Sequence, residues 1–313
     1  MTPQRLWSAL AESVGTAVVG EQEPLRLLTA ALLANGHVLI EDVPGVGKTL
    51  LAKAFARSLG LSVARVPGTP DLLPSDVTGS SVLDSGAFRF IPGPVFSNVV
   101  LFDEINRATP RTQSALLEAM QERQVSVDGT THQLPRPFVV LATQNPIELE
   151  GTFALPEAQL DRFLVRVDLG YLDELGERQM LRRLREGDDL VERIKPVVQA
   201  AELESVAEVV RSVLVAEEVE GYLLSIVRQT RDHADVRLGA SPRSAVALYR
   251  TSQAWAALDG RDFVLPDDVR RLVRPVLAHR LVLDLDRELR GATRAAVLDD
   301  VLDQTPVPVI DSA

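Results

Sequence analysis

The sequence predicts an α/β domain built on a parallel sheet, followed by an all-helical domain. Three observations carry that reading. Apolar runs with little polar alternation recur at His37–Ile40, Asn98–Phe102 and Phe138–Thr143, as strands buried on both faces require. Segments of helical periodicity separate them, so the chain opens in the order helix, strand, helix, strand. From about residue 173 strand-like runs almost vanish and helical patterns remain, which divides the chain into 1–170 and 171–313.

Composition narrows the function classes. The chain has 313 residues, 46% hydrophobic and 25% charged, the balance of a soluble globular protein. It contains no cysteine, which excludes disulfides, thiolate metal sites and a Cys nucleophile and suits a cytoplasmic protein. The four histidines, His37, His132, His233 and His279, lack ligand-like spacing. No basic stretch leads into an apolar core near the N-terminus, and no apolar run is long enough to span a bilayer. A net charge of −11 argues against general binding to nucleic acid, whose affinity depends on neutralising phosphates.

In chain order, Glu21–Asn35 has the periodicity of an amphipathic helix, with Pro24 in its first turn and Asn35-Gly36 at its stop. The strand His37–Ile40 then leads into Glu41-Asp42-Val43-Pro44-Gly45-Val46-Gly47-Lys48-Thr49, and Leu50–Ala56 continues as a helix. In that context the Gly-rich loop reads as a phosphate cradle, the alternative being a Gly/Pro turn that happens to end in Lys-Thr. Backbone N–H groups face the anion, Lys48 reaches the β- and γ-phosphates, and the Thr49 hydroxyl ligates Mg²⁺. The common form of this loop has glycine where this chain has Asp42. A strand over Leu61–Val66 follows.

Prolines and glycines break the pattern from Pro67 to Pro94, leaving Ser81–Leu83 and Ala87–Ile91 as a hairpin around Asp84-Ser85-Gly86 within a long loop. The buried strand ending at Phe102 runs into Asp103-Glu104, two carboxylates at a strand's carboxyl end, where such folds bind ligands. There Asp103 can hold Mg²⁺ and Glu104 can position or deprotonate an attacking water. Thr109-Pro110 caps a helix to about Arg123. Val125 and Val127 alternate into Asp128-Gly129, a hairpin signal. The strand Phe138–Thr143 ends at Gln144-Asn145-Pro146, where Asn145 either orients a water at the γ-phosphate or opens an Asn-Pro turn.

Leu155–Phe163 predicts a short helix carrying Arg162, and Leu164–Leu169 a fifth strand. Helices are then expected over Glu174–Glu186, Leu203–Val213, Glu220–His233, Pro242–Leu258 and Pro266–Arg280. Ser241-Pro242 places Arg243 in a first helical turn. The tail from Thr305 is expected to be loose.

Taken together, the loop Glu41–Thr49, Leu101-Phe102-Asp103-Glu104-Ile105-Asn106-Arg107-Ala108, Ala142–Pro146 and Leu155–Phe163 resemble the MoxR family of AAA+ ATPases, over nearly the whole chain. Asp42 in place of glycine fits that family. The resemblance implies a five-stranded parallel sheet with helices on both faces, two hairpin inserts, a helical lid, and a ring of identical subunits, usually six. It implies ATP and Mg²⁺ as cofactors, bound by residues 44–50 (Pro44, Gly45, Val46, Gly47, Lys48, Thr49, Leu50), with Thr49 and Asp103 at the metal. Val19 and Gly20 would contact adenine. Glu104 would be the catalytic base and Asn145 the first sensor. Arg162 would be the arginine finger toward the neighbouring subunit, and Arg243 the second sensor, from the lid.

By the same resemblance the activity is ATP hydrolysis coupled to chaperone-like assembly, activation or cofactor loading of a client complex. A separate protein with a von Willebrand factor A domain would be the partner. A metal-chelatase ATPase subunit shares both hairpins and is the alternative enzyme. A nucleotide-dependent switch with little turnover has no need of Glu104 and Arg162, and a DNA motor is disfavoured by the charge.

Overall fold

The computed structural model describes residues 1–313 except 21, 44, 85–86, 146–150, 186–189 and 309–313. Helices α1 (Pro3–Gly15) and α2 (Gln22–Leu33) precede strand β1 (Val38–Glu41). Next come α3 (Lys48–Ser58), β2 (Val63–Pro67), α4 (Pro74–Thr78), a hairpin of β3 (Gly79–Asp84) and β4 (Ala87–Pro92), and β5 (Val99–Asp103). Then follow α5 (Pro110–Glu122), a second hairpin of β6 (Gln124–Val127) and β7 (Thr130–Gln133), β8 (Val139–Gln144), α6 (Glu157–Leu160) and β9 (Val165–Val167). The remainder is helical: α7 (Glu174–Leu184), α8 (Ala200–Arg211), α9 (Glu217–Asp232), α10 (Pro242–Leu258), α11 (Pro266–Leu277), α12 (Leu285–Leu289) and α13 (Arg294–Gln304). A two-stranded antiparallel ribbon, β10 (Val236–Leu238) with β11 (Val282–Leu283), interrupts it.

The sheet order is β2-β5-β8-β1-β9, all neighbours parallel. Its central strands are buried almost throughout, which is why their sequences lack alternation. Leu39, Val100, Phe102, Val140 and Ala142 enter one apolar cluster with α5 and with Val125 and Val127 of the second hairpin. Val38, Ile40, Leu101 and Leu141 enter the other, which is continuous with α1–α3 and with the late helices α8–α11 and α13. The register pairs Glu41 with Gln144 and Phe102 with Ala142, so the loops after β1, β5 and β8 open at one edge of the sheet.

Several elements differ from expectation. Helix α1 was not anticipated, although Thr2 caps it, Pro3 opens it, and Leu6, Leu10 and Val14 form its buried stripe. Helices α12 and α13 were also missed; α13 starts at the cap Thr293 and buries Val297, Leu298 and Val301. The expected helices begin earlier at Ala200 and Glu217, and Pro266–Arg280 ends in a 3₁₀ turn at Ala278–Arg280. Near Arg162 only Glu157–Leu160 is helical. Residue 186, the expected end of α7, lies outside the described residues, as does the first hairpin's turn at 85–86.

The second hairpin turns at Asp128 (φ 49°) and Gly129 (φ 78°), the left-handed pair that Asp-Gly favours. Phe90 of the first hairpin stacks on His132 of the second at 3.9 Å between ring centroids, so those two rings join the hairpins. Phe88 is 79% exposed.

Buried His37 locks the sheet to α5. Its Nδ1 accepts from Val140 N at 3.0 Å, which leaves Nε2–H to donate to Met120 O at 3.0 Å. Burial first, and then the charge of Arg123, lowers its pKa to about 3. Burial also drives His279 well below its usual value. Both folded-state values lie below the unfolded value of about 6.5, so the unfolded chain binds more protons on acidification. The stabilisation is complete above pH 6.5 and is lost as the pH falls below it. The expected loss is about 1.4 kcal/mol per pH unit for each histidine. Urea titrations at pH 7 and pH 5 measure it, and replacing His37 by Gln should remove its share of the slope.

Candidate active site

The phosphate loop leaves β1 at Glu41 and reaches α3 through Gly45 (φ 88°) and Gly47 (φ 91°), conformations that glycine adopts without strain. A Cβ built on either glycine would meet nothing within 4 Å, so the left-handed backbone and not crowding favours glycine at both positions. Gly47 is the N-cap of α3 and brings no side-chain acceptor, while Leu51 N closes the first helical bond to Gly47 O at 2.9 Å. The N–H groups of Lys48, Thr49 and Leu50 are therefore available to an anion. Lys48 Nζ donates to Asp42 O at 3.0 Å and Val43 O at 3.2 Å, which lays the ammonium back along the loop. Pro44 lies outside the described residues.

Asp42 has a physical role that sequence reasoning did not supply. Its Oδ1 accepts from Val43 N at 2.8 Å, and its Oδ2 accepts from Leu169 N at 2.7 Å and Gly170 N at 3.0 Å. The carboxylate ties the phosphate loop to the segment leaving β9. Asp42→Ala strands three part-buried N–H groups and should cost about 1–3 kcal/mol. A urea midpoint shift, with a matching loss of nucleotide affinity, would measure it.

At the same edge, Asp103 ends β5 and accepts from Arg65 Nε at 2.6 Å. Glu104 sits at φ 54°, ψ 57°, a left-handed conformation that is uncommon outside glycine. Its N–H donates to Thr143 Oγ1 at 2.8 Å, and its Oε2 accepts from Arg107 Nη1 at 2.9 Å. Gly68 packs beneath the pair and donates its N–H to Asp103 O at 2.6 Å. A Cβ there would lie 2.3 Å from Glu104 O and 2.7 Å from Asp103 O, both backbone atoms. Gly68→Ala should therefore displace both carboxylates and cost about 1–3 kcal/mol, read as a fall in melting temperature with loss of turnover. Asn145, 5% exposed, follows β8 at this edge.

Arg65, Gly68, Arg107 and Thr143 escaped the sequence reading. Thr143 carried a faint signal, a hydroxyl at the end of a buried strand. Arg65 and Gly68 become part of the site only because β2 pairs with β5.

Beside the loop lies a cavity of about 380 Å³, walled by Val18, Val19, Leu50, Met180 and Leu190 and closed by Glu177 and Arg183. A smaller cavity shares Val19 and Gly47 and reaches Gly20. Arg183 Nη2 donates to Gly15 O at 2.7 Å and fastens α7 to the end of α1. Apolar walls beside a phosphate cradle suit the flat face of a base.

Arg162 and Arg243 lie elsewhere. Arg162 Nη1 donates to Leu117 O at 2.8 Å. Both arginines line a cleft of about 310 Å³ with Arg123, Arg250 and Arg280, against the carboxylate of Asp161. Asn35, Gly36 and His37 also line it, so it opens at the amino end of β1, whereas the phosphate loop leaves the carboxyl end. The four residues of β1 span about 13 Å. The structure thus gathers Val19, Gly20, the loop, Asp103, Glu104 and Asn145 at one edge and sets Arg162 and Arg243 together at the other.

Two family models match the chain. Residues 37–165 match the ATPase family associated with various cellular activities (AAA), and residues 228–301 match the AAA lid domain. The chain is 45% identical to the uncharacterized protein YeaC of Bacillus subtilis over 96% of its own length and 95% of that protein. It is 38% identical to chaperone MoxR1 of Mycobacterium tuberculosis over 94% of its own length and 80% of that protein. The chain belongs to the MoxR family of AAA ATPases. A crystal structure from Cytophaga hutchinsonii, of a protein named as a candidate ATPase, superposes with a TM-score of 0.92. It is 36% identical and covers 98% of this chain and 96% of its own. As a member of this family the protein binds nucleotide and is an ATPase. The AAA match runs from His37 to Val165 and contains the loop, Asp103-Glu104, Asn145 and Arg162, while the lid match contains Arg243.

Proposed function

We propose that this MoxR-family ATPase works as a ring of identical subunits, most simply six, and hydrolyses Mg²⁺-ATP at the interfaces between them. The observation that carries this reading is the separation of the two half-sites by the length of β1. An arginine at the amino end of β1 cannot reach a phosphate held at its carboxyl end, so Arg162 and Arg243 have a use in catalysis only toward another subunit's nucleotide. The acidic chain as a whole makes a cleft of five arginines and one carboxylate conspicuous as an anion site.

In the loop-bearing half, Lys48 turns from the carbonyls of Asp42 and Val43 to the β- and γ-phosphates. Thr49 and Asp103 supply hard oxygen donors that suit Mg²⁺, which takes one or two protein oxygens and fills its sphere with water and phosphate. When bound, the ion neutralises charge on the phosphates. Glu104 accepts the proton of the attacking water, or orients it, once Arg107 yields its hold, and Asn145 orients the same water. Val19 and Gly20 face the adenine.

Among the described residues no helix is long and apolar enough to cross a membrane. We place the protein in the cytoplasm, remodelling, activating or loading a client protein complex with a separate von Willebrand factor A domain protein as partner. The name chaperone MoxR1 of a relative supports the remodelling role in that assignment. The boundary between core and lid falls at about residue 170, where the chain leaves β9 and is held by Asp42. The exposed Phe88 belongs to the face of the hairpins that meets the client.

Mixing two inactive variants tests the shared site. Lys48→Ala lacks a working loop and Arg162→Ala lacks the arginine, so each alone should be silent. A mixed ring contains interfaces with an intact loop from one variant and an intact arginine from the other, and should regain turnover. Mixed assemblies that form but stay silent would refute the shared site.

A further inference from the structure

One carboxylate, Asp161, is bonded to groups that flank both candidate arginines. Asp161 follows α6 and immediately precedes Arg162. Its Oδ1 accepts from Arg280 Nη1 at 2.9 Å, and its Oδ2 accepts from Ser241 Oγ at 3.0 Å. The Arg280 side chain is only 3% exposed, and its Nη2 donates to Phe163 O at 2.6 Å and Leu164 O at 3.3 Å. One buried guanidinium thus grips the chain on both sides of Arg162. Ser241 is the N-cap of α10, where its Oγ accepts from Ser244 N at 3.3 Å, and Arg243 stands two residues further on in the first turn. Ser241 N in turn donates to Ser244 Oγ at 3.0 Å. A carboxylate facing the start of a 17-residue helix also suits the helix dipole.

We infer that Asp161 and Ser241 are positioning residues for turnover, joining Arg162 and Arg243 through one shared carboxylate so that both guanidiniums meet the same anion together. This rests on the reading of those arginines as groups offered to a neighbouring subunit's triphosphate. Capping of α10 needs only an oxygen acceptor at position 241, whereas the link to Asp161 needs a donor as well. A movement of α10 against the sheet then carries Arg162 with it, and the two arginines report nucleotide as a unit.

Near-isosteric substitutions separate the two roles. Asn and Asp are both strong N-caps. Asn also carries N–H groups that can donate to Asp161, whereas Asp sets a second carboxylate against it. We expect Ser241→Asn to keep most of the wild-type kcat. Ser241→Asp should lose at least about tenfold in kcat, with nucleotide affinity unchanged in both, because the loop lies at the far end of β1. Ser241→Ala, which adds no charge, serves if the Asp variant does not fold; its kcat should fall while nucleotide affinity holds. Equal kcat for the Asn and Asp variants, or an Ala variant that melts earlier with wild-type kcat, would show that the hydroxyl only caps a helix. Arg162→Ala and Arg243→Ala belong in the same assay. If they retain turnover, the reading of the cleft falls too; if they lose it while the Ser241 series is silent, only the coupling is wrong.

Discussion

Arg162→Ala should abolish ATP turnover while leaving nucleotide binding intact. Phosphoryl transfer depends on positioning and charge neutralisation, and an arginine supplied across an interface is worth about 10³–10⁵ in rate. The half-buried side chain donates to the Leu117 carbonyl and lines the cleft, so its removal does not open the core. Because the cleft and the loop lie at opposite ends of β1, a fluorescent ATP analogue should bind the variant as it binds wild type. Wild-type turnover in the assembled variant, or a parallel loss of binding, would exclude Arg162 from the role of a finger.

Glu104→Gln should bind ATP and release almost no phosphate, a loss of about 10²–10⁴ if the carboxylate is the general base. Gln preserves the size of the side chain and can still accept from Arg107, so the left-handed backbone at this position should persist. The same variant should hold the ring in its ATP-bound form and retain client proteins that wild type releases. Single-turnover phosphate release measures the first effect. A Gln variant with normal turnover would assign the glutamate to structure alone and return Asp103 as the nearest carboxylate for the base.

Much of the site was legible because its chemistry is local. A phosphate cradle needs glycines, Lys48 and Thr49 consecutive between a strand and a helix, and Asp103-Glu104 needs only a buried strand before it. Those patterns lie within a dozen residues and survive without knowledge of the fold. Helix α10 was predicted with its observed bounds for the same reason, since Ser241-Pro242 and the run to Leu258 mark both ends. Helices α1 and α13 also carried caps and buried stripes, and were missed because short stripes of Leu, Val and Ala are persuasive only once something is known to cover them.

The sequence by itself determined a parallel α/β sheet, a phosphate loop, an acidic pair at a strand end and a helical second half, because period and turn chemistry are written in neighbouring residues. Only the tertiary structure decided the rest. Strand order brought Arg65, Gly68 and Thr143 to the acidic pair, and the path from α6 to β9 carried Arg162 to the far edge of the sheet. Asp42 became a tie to Leu169 and Gly170, and Arg243 joined Arg162 rather than the loop. These outcomes depend on contacts between residues tens or hundreds of positions apart, set by which apolar faces bury one another.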